Sequence, residues 1–174
     1  MTDDYELIDS GDGRKLERFG KYVLARPCSQ AMWRPLLSES VWSCADAAFD
    51  RVDGNNWHGR ANLPKEWQIT TADIRFKLGG TDFGHLGIFP EQRSQWRWIR
   101  EQVKARNASG QRKMSLLNLF AYSGGSTMAA AIGGADVCHL DASKGMVEWA
   151  RENARLNGLD ACPIRWIVDD ATSS

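Results

Sequence analysis

Three short stretches of this chain carry side chains whose types and spacing could do chemistry. Tyr122-Ser123-Gly124-Gly125 places two residues without side chains at what reads as a strand-to-helix turn. There a ligand can lie against backbone N–H groups at a helix start. Asp141 ends the next apolar run, where a carboxylate can accept hydrogen bonds from both hydroxyls of a ribose. Asp169 and Asp170 end the run after that, where an acceptor can take the amino group of an adenine. Singly, each has a plain reading: a tight turn, a helix N-terminal charge, a solvated loop. A glycine loop, an acid and a second acid on consecutive strands together describe a nucleoside site.

The type of nucleoside follows from the loop. A dinucleotide site uses G-x-G-x-x-G so that a pyrophosphate can sit on the helix N-terminus. Here Phe120 and Tyr122 put an aromatic residue at each of the first two glycine positions and crowd a diphosphate. A nicotinamide oxidoreductase is therefore disfavoured. A cofactor with no phosphates between its ribose and its reactive end is tolerated, and S-adenosylmethionine (SAM) is such a cofactor.

These residues need a parallel sheet to bring them to one edge. Leu116 to Phe120 is an apolar-biased run that predicts a strand buried on both faces. Ser126 to Ile132 predicts a small-residue helix between Gly124-Gly125 and Gly133-Gly134, and Ala135 to Leu140 a second strand. Ser143 can cap a third helix, running through Met146, Val147, Ala150 and Ala154 to a stop at Asn157-Gly158. Pro163 to Val168 predicts a third strand. The βαβαβ order gives a parallel sheet with right-handed crossovers, and ligands of such sheets bind outside the carboxyl ends of the strands. Before it, Pro90 and Glu91 suit the first turn of a helix. Trp96, Ile99 and Val103 fall on one face of that helix, and Arg93, Arg97, Arg100 and Lys104 form a stripe on another.

The first half reads differently, as short strands and turns. Tyr22 to Ala25 and the alternating Ile74 to Leu78 predict strands, Asp53-Gly54-Asn55-Asn56 predicts a turn, and Glu39 to Phe49 fits either strand or helix, with a strand flowing into a short turn the preferred reading. The expected organisation is a β-rich subdomain over residues 1–89 and an α/β sheet over residues 90–174. Eight tryptophans are many for 174 residues; Trp42, Trp57 and Trp67 are expected as packing struts beside turns.

Composition narrows the class further. Lys plus Arg and Asp plus Glu both number 22, so bulk charge does not hold this chain on nucleic acid, although a local basic stripe remains open. No apolar run approaches the roughly 18 residues of a membrane span, and Met1-Thr2-Asp3-Asp4 is acidic where a secretory signal is basic. Cys28, Cys44, Cys138 and Cys162 form no CxxC pair, and His58, His85 and His139 share no metal-ligand spacing. A reduced cytoplasmic compartment, no metal and no membrane are expected.

Leu116-Leu117-Asn118-Leu119-Phe120-Ala121-Tyr122-Ser123-Gly124-Gly125 resembles motif I of class I SAM-dependent methyltransferases. The branch it is similar to is related to large-subunit ribosomal RNA cytosine-C5 methyltransferases, in which Asn-x-Phe-x-Tyr-Thr/Ser-Gly-Gly replaces the glycine-rich loop. Val137 to Ser143, Asn153 with Asn157-Gly158, and Asp169-Asp170-Ala171 resemble its later segments, and Phe83 to Arg93 its entry hairpin and helix. The resemblance implies SAM as cofactor, held by Gln92 at the methionine end, Tyr122, Ser123, Gly124 and Gly125 at the loop, Asp141 and Ser143 at the ribose, and Asp169 and Asp170 at the adenine. It implies a Rossmann-like sheet in the order 3-2-1-4-5-7-6, of which only the 3-2-1 wing is encoded here, so the chain reads as C-terminally truncated. The D-P-P-x-[FYW] motif expected after the fourth strand is absent. No cysteine stands where cytosine-C5 chemistry needs one, so no catalytic residue is named.

Two functions follow. One is the cofactor-binding portion of a SAM-dependent methyltransferase whose acceptor is unidentified, with RNA phosphates meeting Arg93, Arg97, Arg100 and Lys104 as one reading of the stripe and a solvated helix face as the other. The second is a catalytically incomplete remnant that binds an adenosine ligand or a protein. With one wing alone, Leu116 to Phe120 becomes a sheet edge, which implies self-association by strand pairing or a partner supplying the rest.

Overall fold

A computed structural model describes residues 3–51, 54–110 and 112–172 of the chain. The chain forms two compact units, one of residues 1–70 and 78–86, the other of residues 71–77 and 87–174.

The first unit is built on a five-stranded sheet: β1 (Tyr5–Gly11), β2 (Arg14–Phe19), β3 (Tyr22–Pro27), β4 (Ala47–Asp50) and β5 (Asn56–His58), in that spatial order. Neighbours are antiparallel except β3 and β4, whose parallel pairing needs the crossover that residues 28–46 supply. The β1–β2 turn uses Asp12 (φ 47°) and Gly13 (φ 72°), the left-handed pair whose twist suits a two-residue hairpin. Where a strand was expected from Glu39, the chain forms one helical turn, α1 (Glu39–Trp42), before β4. Asp9 explains the difference. Its carboxylate accepts hydrogen bonds from the backbone N–H groups of Leu36 (3.2 Å) and Leu37 (2.9 Å) and from Trp42 Nε1 (3.1 Å), which gathers the segment into a turn. These bonds also hold the carboxyl below the usual range, against the opposing effect of desolvation. Of the expected turn at Asp53-Gly54-Asn55-Asn56, Asp53 lies outside the described residues, and Gly54 and Asn55 bend before β5. Trp42 is buried, and Trp57 and Trp67 are half-buried against Phe49 and Tyr22.

β6 (Trp67–Thr71) and β7 (Ile74–Leu78) make a two-stranded sheet. In the second unit, a short 3₁₀ turn at Pro90–Gln92 leads into α2 (Arg93–Ala108), followed by β8 (Ser115–Leu119), α3 (Gly125–Gly133), β9 (Asp136–Asp141), α4 (Lys144–Leu156) and β10 (Ile164–Val168). The sheet order is β10-β9-β8, all parallel, with Leu116, Val137 and Ile164 in register. This is a mixed α/β architecture with one wing of a Rossmann-like sheet.

Successive right-handed crossovers in one direction put α3 and α4 on the same face of the sheet. Val137 and His139 are buried on that face, while Cys138, between them, points to the other. α2 meets α3 through a small-residue stripe, Gly125, Ala129 and Gly133. A Cβ on Gly125 would stand 2.5 Å from the Trp96 indole, and one on Gly133 would stand 2.8 Å from Val103 Cβ. Both contacts would force the helices apart. α4 is fixed to β7 by two asparagines one turn apart: Lys77 N donates to Asn153 Oδ1 (2.8 Å), and Asn157 exchanges two bonds with the Arg75 backbone (2.9 and 2.8 Å).

The expectation that Leu116 to Phe120 is buried on both faces does not hold. β8 is an edge strand, with Leu117 61% and Leu119 43% exposed on the face opposite the helices. No helix among the described residues is long and apolar enough to cross a membrane.

Candidate functional site

The carboxyl ends of β8, β9 and β10 converge on the loop 120–124. That loop steps repeatedly through left-handed backbone: Phe120 (φ 52°), Tyr122 (φ 51°) and Gly124 (φ 88°). Two of these are bulky residues, and such strain persists only where surrounding contacts impose it. The contacts are present. Ala121 N donates to Leu140 O (3.1 Å), Tyr122 N to Asp141 Oδ2 (2.8 Å), Gly124 N to Ala121 O (3.0 Å), and the Asn153 amide nitrogen to Ser123 O (2.9 Å).

Asp141 is the hub. One carboxylate oxygen accepts from Tyr122 N and the other from Ser143 N (2.9 Å), so the acid is oriented by backbone on both sides. Each oxygen retains acceptor capacity, and the side chain is only half-buried. Ser143 caps α4 by accepting from Met146 N at 3.3 Å, as its position before that helix predicted. α3 begins at Gly124 with no side-chain cap, so its first-turn N–H groups face outward without one.

Beside the loop lies a cavity of about 200 Å³ whose wall includes Gln92, Gln95, Trp96, Phe120, Tyr122 and Ser126. Gln92, Tyr122, Ser123 and Gly125 are therefore brought together at one cavity. Asp141 and Ser143 stand next to it through the Tyr122 bond. The acids of β10 sit one strand further on, at the same edge: Asp169 N donates to Asp141 O (3.2 Å) and Asp169 Oδ1 accepts from Asp170 N. One oxygen of Asp170 accepts from both the backbone N–H and the hydroxyl of Thr172, which lowers its pKa. The glycine pair has a packing origin as well. Gly124 takes a left-handed conformation, and Gly125 lies flat against Trp96.

Beneath the loop runs a buried polar chain that the sequence did not disclose. Asn118 Nδ2 donates to Thr127 Oγ1 (2.9 Å), which is bonded to His139 Nδ1 (2.9 Å). His139 is fully buried against the Trp166 ring. Burial lowers its pKa to about 4; nearby Asp141 opposes the shift and Arg151 adds to it. The imidazole is thus neutral at pH 7. Among the described residues, no group of three or more His, Cys, Asp or Glu is arranged to hold a metal.

The basic stripe is divided. Arg100 is tied to Ala72 O and the Asp73 carboxylate (both 2.9 Å), with its side chain 13% exposed, and Arg93 Nε donates to Pro90 O (3.1 Å). Arg97 and Lys104 are exposed. Gln95, Trp96 and Ser126 were not read as site residues from the sequence. Their one signal was spacing: Gln95 and Trp96 follow Gln92 by three and four positions, one helical turn.

A sequence model of the S-adenosylmethionine-dependent methyltransferase family matches residues 46–173. The chain is 32% identical over 123 residues to the ribosomal RNA large subunit methyltransferase K/L of Shewanella loihica, a match covering 70% of this chain and 16% of that protein. It thus spans about one sixth of the length of that curated relative. The structure is similar to that of a SAM-dependent methyltransferase from Agrobacterium tumefaciens, with 42% identity and a TM-score of 0.88 over 98% of this chain and 54% of that one. It shares its fold with SMU.776, solved with S-adenosylhomocysteine, at 19% identity and a TM-score of 0.70 over 97% of this chain and 46% of that one. The family model covers well over half of the chain, and the chain belongs to the S-adenosylmethionine-dependent methyltransferase family.

Proposed function

We propose that this chain binds SAM at the carboxyl edge of its parallel sheet and serves as the cofactor-binding portion of an RNA methyltransferase. The observation that carries the reading is Asp141, held by Tyr122 N and Ser143 N with lone pairs to spare beside an uncapped helix. The donor set fits SAM and not a dinucleotide. Two hydroxyls can be accepted at Asp141, an amine at Asp169 or Asp170, and a carboxylate by the α3 N–H groups and Gln92, whereas Phe120 and Tyr122 leave no smooth glycine cradle for a pyrophosphate.

When bound, SAM supplies a methyl group on a sulfonium, which an acceptor nucleophile can take by in-line displacement. The chain's residues contribute position. Asp141 fixes the ribose, and Ser143 orients Asp141 and begins α4. Tyr122, Ser123, Gly124 and Gly125 present backbone to the methionine end, with Gln92 closing the cavity wall. In this reading cofactor binding belongs to residues 90–174. RNA is the acceptor class suggested by the name of the Shewanella relative. Arg97 and Lys104, exposed on α2, would meet phosphates, and Arg100 would first have to leave Asp73.

Calorimetric titration with S-adenosylhomocysteine tests the reading, with NADH and Asp141→Ala as controls. Binding that Asp141→Ala weakens and NADH does not reproduce supports it. A folded chain that ignores S-adenosylhomocysteine sinks it.

A further inference from the structure

We infer that Asn153 is a positioning residue of the cofactor site: its side-chain amide fixes the Ser123–Gly124 peptide and ties it to Lys77, so that β7 and the loop 120–124 hold or lose their places together. The inference rests on the SAM reading of that loop.

Asn153 is fully buried in α4 and joins two other elements at once. Its Oδ1 accepts from Lys77 N at 2.8 Å, and its Nδ2 donates to Ser123 O at 2.9 Å. A backbone N–H only donates and a carbonyl only accepts, so the amide has one orientation and each end has one task. An aspartate here would set acceptor against acceptor at Ser123. A leucine would leave a buried carbonyl and a buried N–H unanswered.

The bond to Ser123 controls the start of α3. Bonding into that helix begins with Met128 N donating to Gly124 O (2.8 Å), and Ser123 O is taken by Asn153 instead. In a trans peptide the C=O and the N–H point opposite ways. On the far side of this one, Gly124 N donates to Ala121 O at 3.0 Å. The peptide is thus held from both sides, between the left-handed Tyr122 and the uncapped first turn of α3. Turning that one plane re-aims the N–H groups that follow it, which are those given to the methionine end of the cofactor. A backbone strained at Phe120 and Tyr122 keeps its shape only while such contacts persist.

At its other end the link is anchored. Lys77 O accepts from Trp149 Nε1 (2.9 Å), and the Lys77 ammonium pairs with Glu152 and stands over the Trp149 ring. Asn157 offers an internal comparison. It exchanges bonds with the Arg75 backbone on the same strand, but its remaining side-chain bond goes to Asn153 O and none goes to the loop.

Coupling of this kind is reciprocal: if Lys77 steadies the cofactor loop, cofactor binding steadies Lys77. In the unaltered chain, S-adenosylhomocysteine should therefore slow hydrogen exchange at Lys77 N about fivefold more than at Arg75 N. Asn153→Asp keeps the acceptor for Lys77 and loses only the donor to Ser123. It should weaken S-adenosylhomocysteine about tenfold or more by calorimetry and shift the amide resonances of Gly124, Gly125 and Ser126. Asn157→Ala loosens β7 but should leave those resonances in place and the affinity within about twofold. Equal losses in the two variants, wild-type affinity in a folded Asn153→Asp, or equal slowing at Lys77 and Arg75 overturns the inference. Where Asn153→Asp does not fold, the exchange rates of the unaltered chain decide alone. A folded wild-type chain that ignores S-adenosylhomocysteine overturns the SAM reading. One that binds it with Lys77 no better protected than Arg75 overturns the role of Asn153 and leaves that reading standing.

Discussion

Two polar clusters, that of Glu17 in the first unit and that around Asp141 and His139 in the second, are built on opposite principles. In the first unit Glu17 is fully buried and fully answered. Tyr5 Oη donates to it at 2.9 Å, Arg26 reaches it through Nε (2.9 Å) and Nη2 (2.7 Å), and Lys15 approaches at 3.2 Å. Arg26 also stands over the Phe19 ring. In the second unit the groups around the loop are oriented but not saturated. Asp141 has capacity left on both oxygens, and the buried His139 Nε2 and Trp96 Nε1 have no partner. A closed network costs nothing further to maintain and holds a fold; an open one leaves valences for something else. The comparison teaches where to expect scaffold and where to expect a ligand.

The largest expected effect breaks the closed cluster. Glu17→Ala leaves the Arg26 guanidinium buried without its counter-charge, and removing one partner of a buried pair costs about 3–5 kcal/mol. Urea denaturation should show this loss. The affinity of the remaining folded protein for S-adenosylhomocysteine should be unchanged, because all the bonds that answer Glu17 come from residues of its own unit. A parallel loss of affinity would show that the division into scaffold and site is wrong.

The next effect comes from the neutral cluster and depends on pH. His139 has a folded pKa of about 4 and an ordinary unfolded value near 6.5. Between these values the unfolded chain binds the extra proton, so stability is constant above about pH 6.5, falls as pH drops and has lost its full amount below about pH 4. The span corresponds to about 3 kcal/mol at 1.36 kcal/mol per unit. His139→Gln should flatten this part of the stability profile. An unchanged slope would mean that other groups carry the acid sensitivity.

Legibility from sequence follows the same divide between closed and open arrangements. The order of the three parallel strands, the cap at Ser143 and the loop and acids at their ends were readable, because βαβ periodicity and glycine punctuation are local signals. What was not readable depended on distant contacts. α1 forms where Asp9, some thirty residues upstream, gathers the backbone N–H groups of Leu36 and Leu37 just before it and the Trp42 indole at its end. Arg100 leaves the basic stripe because Asp73 waits beside it. That Leu116 to Phe120 forms a sheet edge was readable, but the exposure of Leu117 was not, because an apolar strand sequence is the same whether its face is covered or bare. Asn153 and Asn157 did mark the end of α4, but that they also clip β7 was visible only in the fold.

Asp141 tests the open side of the comparison directly. Hydrogen bonds to a charged group are worth about 1.5–3 kcal/mol each, so Asp141→Ala should weaken S-adenosylhomocysteine about 10- to 100-fold. Asp141→Asn keeps one carbonyl oxygen to accept from Tyr122 N or Ser143 N but loses the charge. It should therefore retain more of the loop's stability than of the affinity. Equal losses in both would mean that Asp141 is there for the loop alone, making its cluster as closed as that of Glu17.

Ser143 gives the smallest and sharpest distinction, because it stands in both roles. Its hydroxyl accepts from Met146 N at the start of α4, while its backbone N–H orients Asp141. Ser143→Ala removes only the first bond and should cost about 1 kcal/mol of stability, the ordinary worth of an N-cap. Ser143→Asp restores a capping oxygen and should recover most of that loss. Neither change removes the N–H that holds Asp141, so affinity for S-adenosylhomocysteine should stay within twofold in both. If Ser143→Ala instead weakens binding several-fold while Ser143→Asp restores stability alone, the hydroxyl itself reaches the ligand. The boundary between scaffold and site would then run through this side chain rather than beside it.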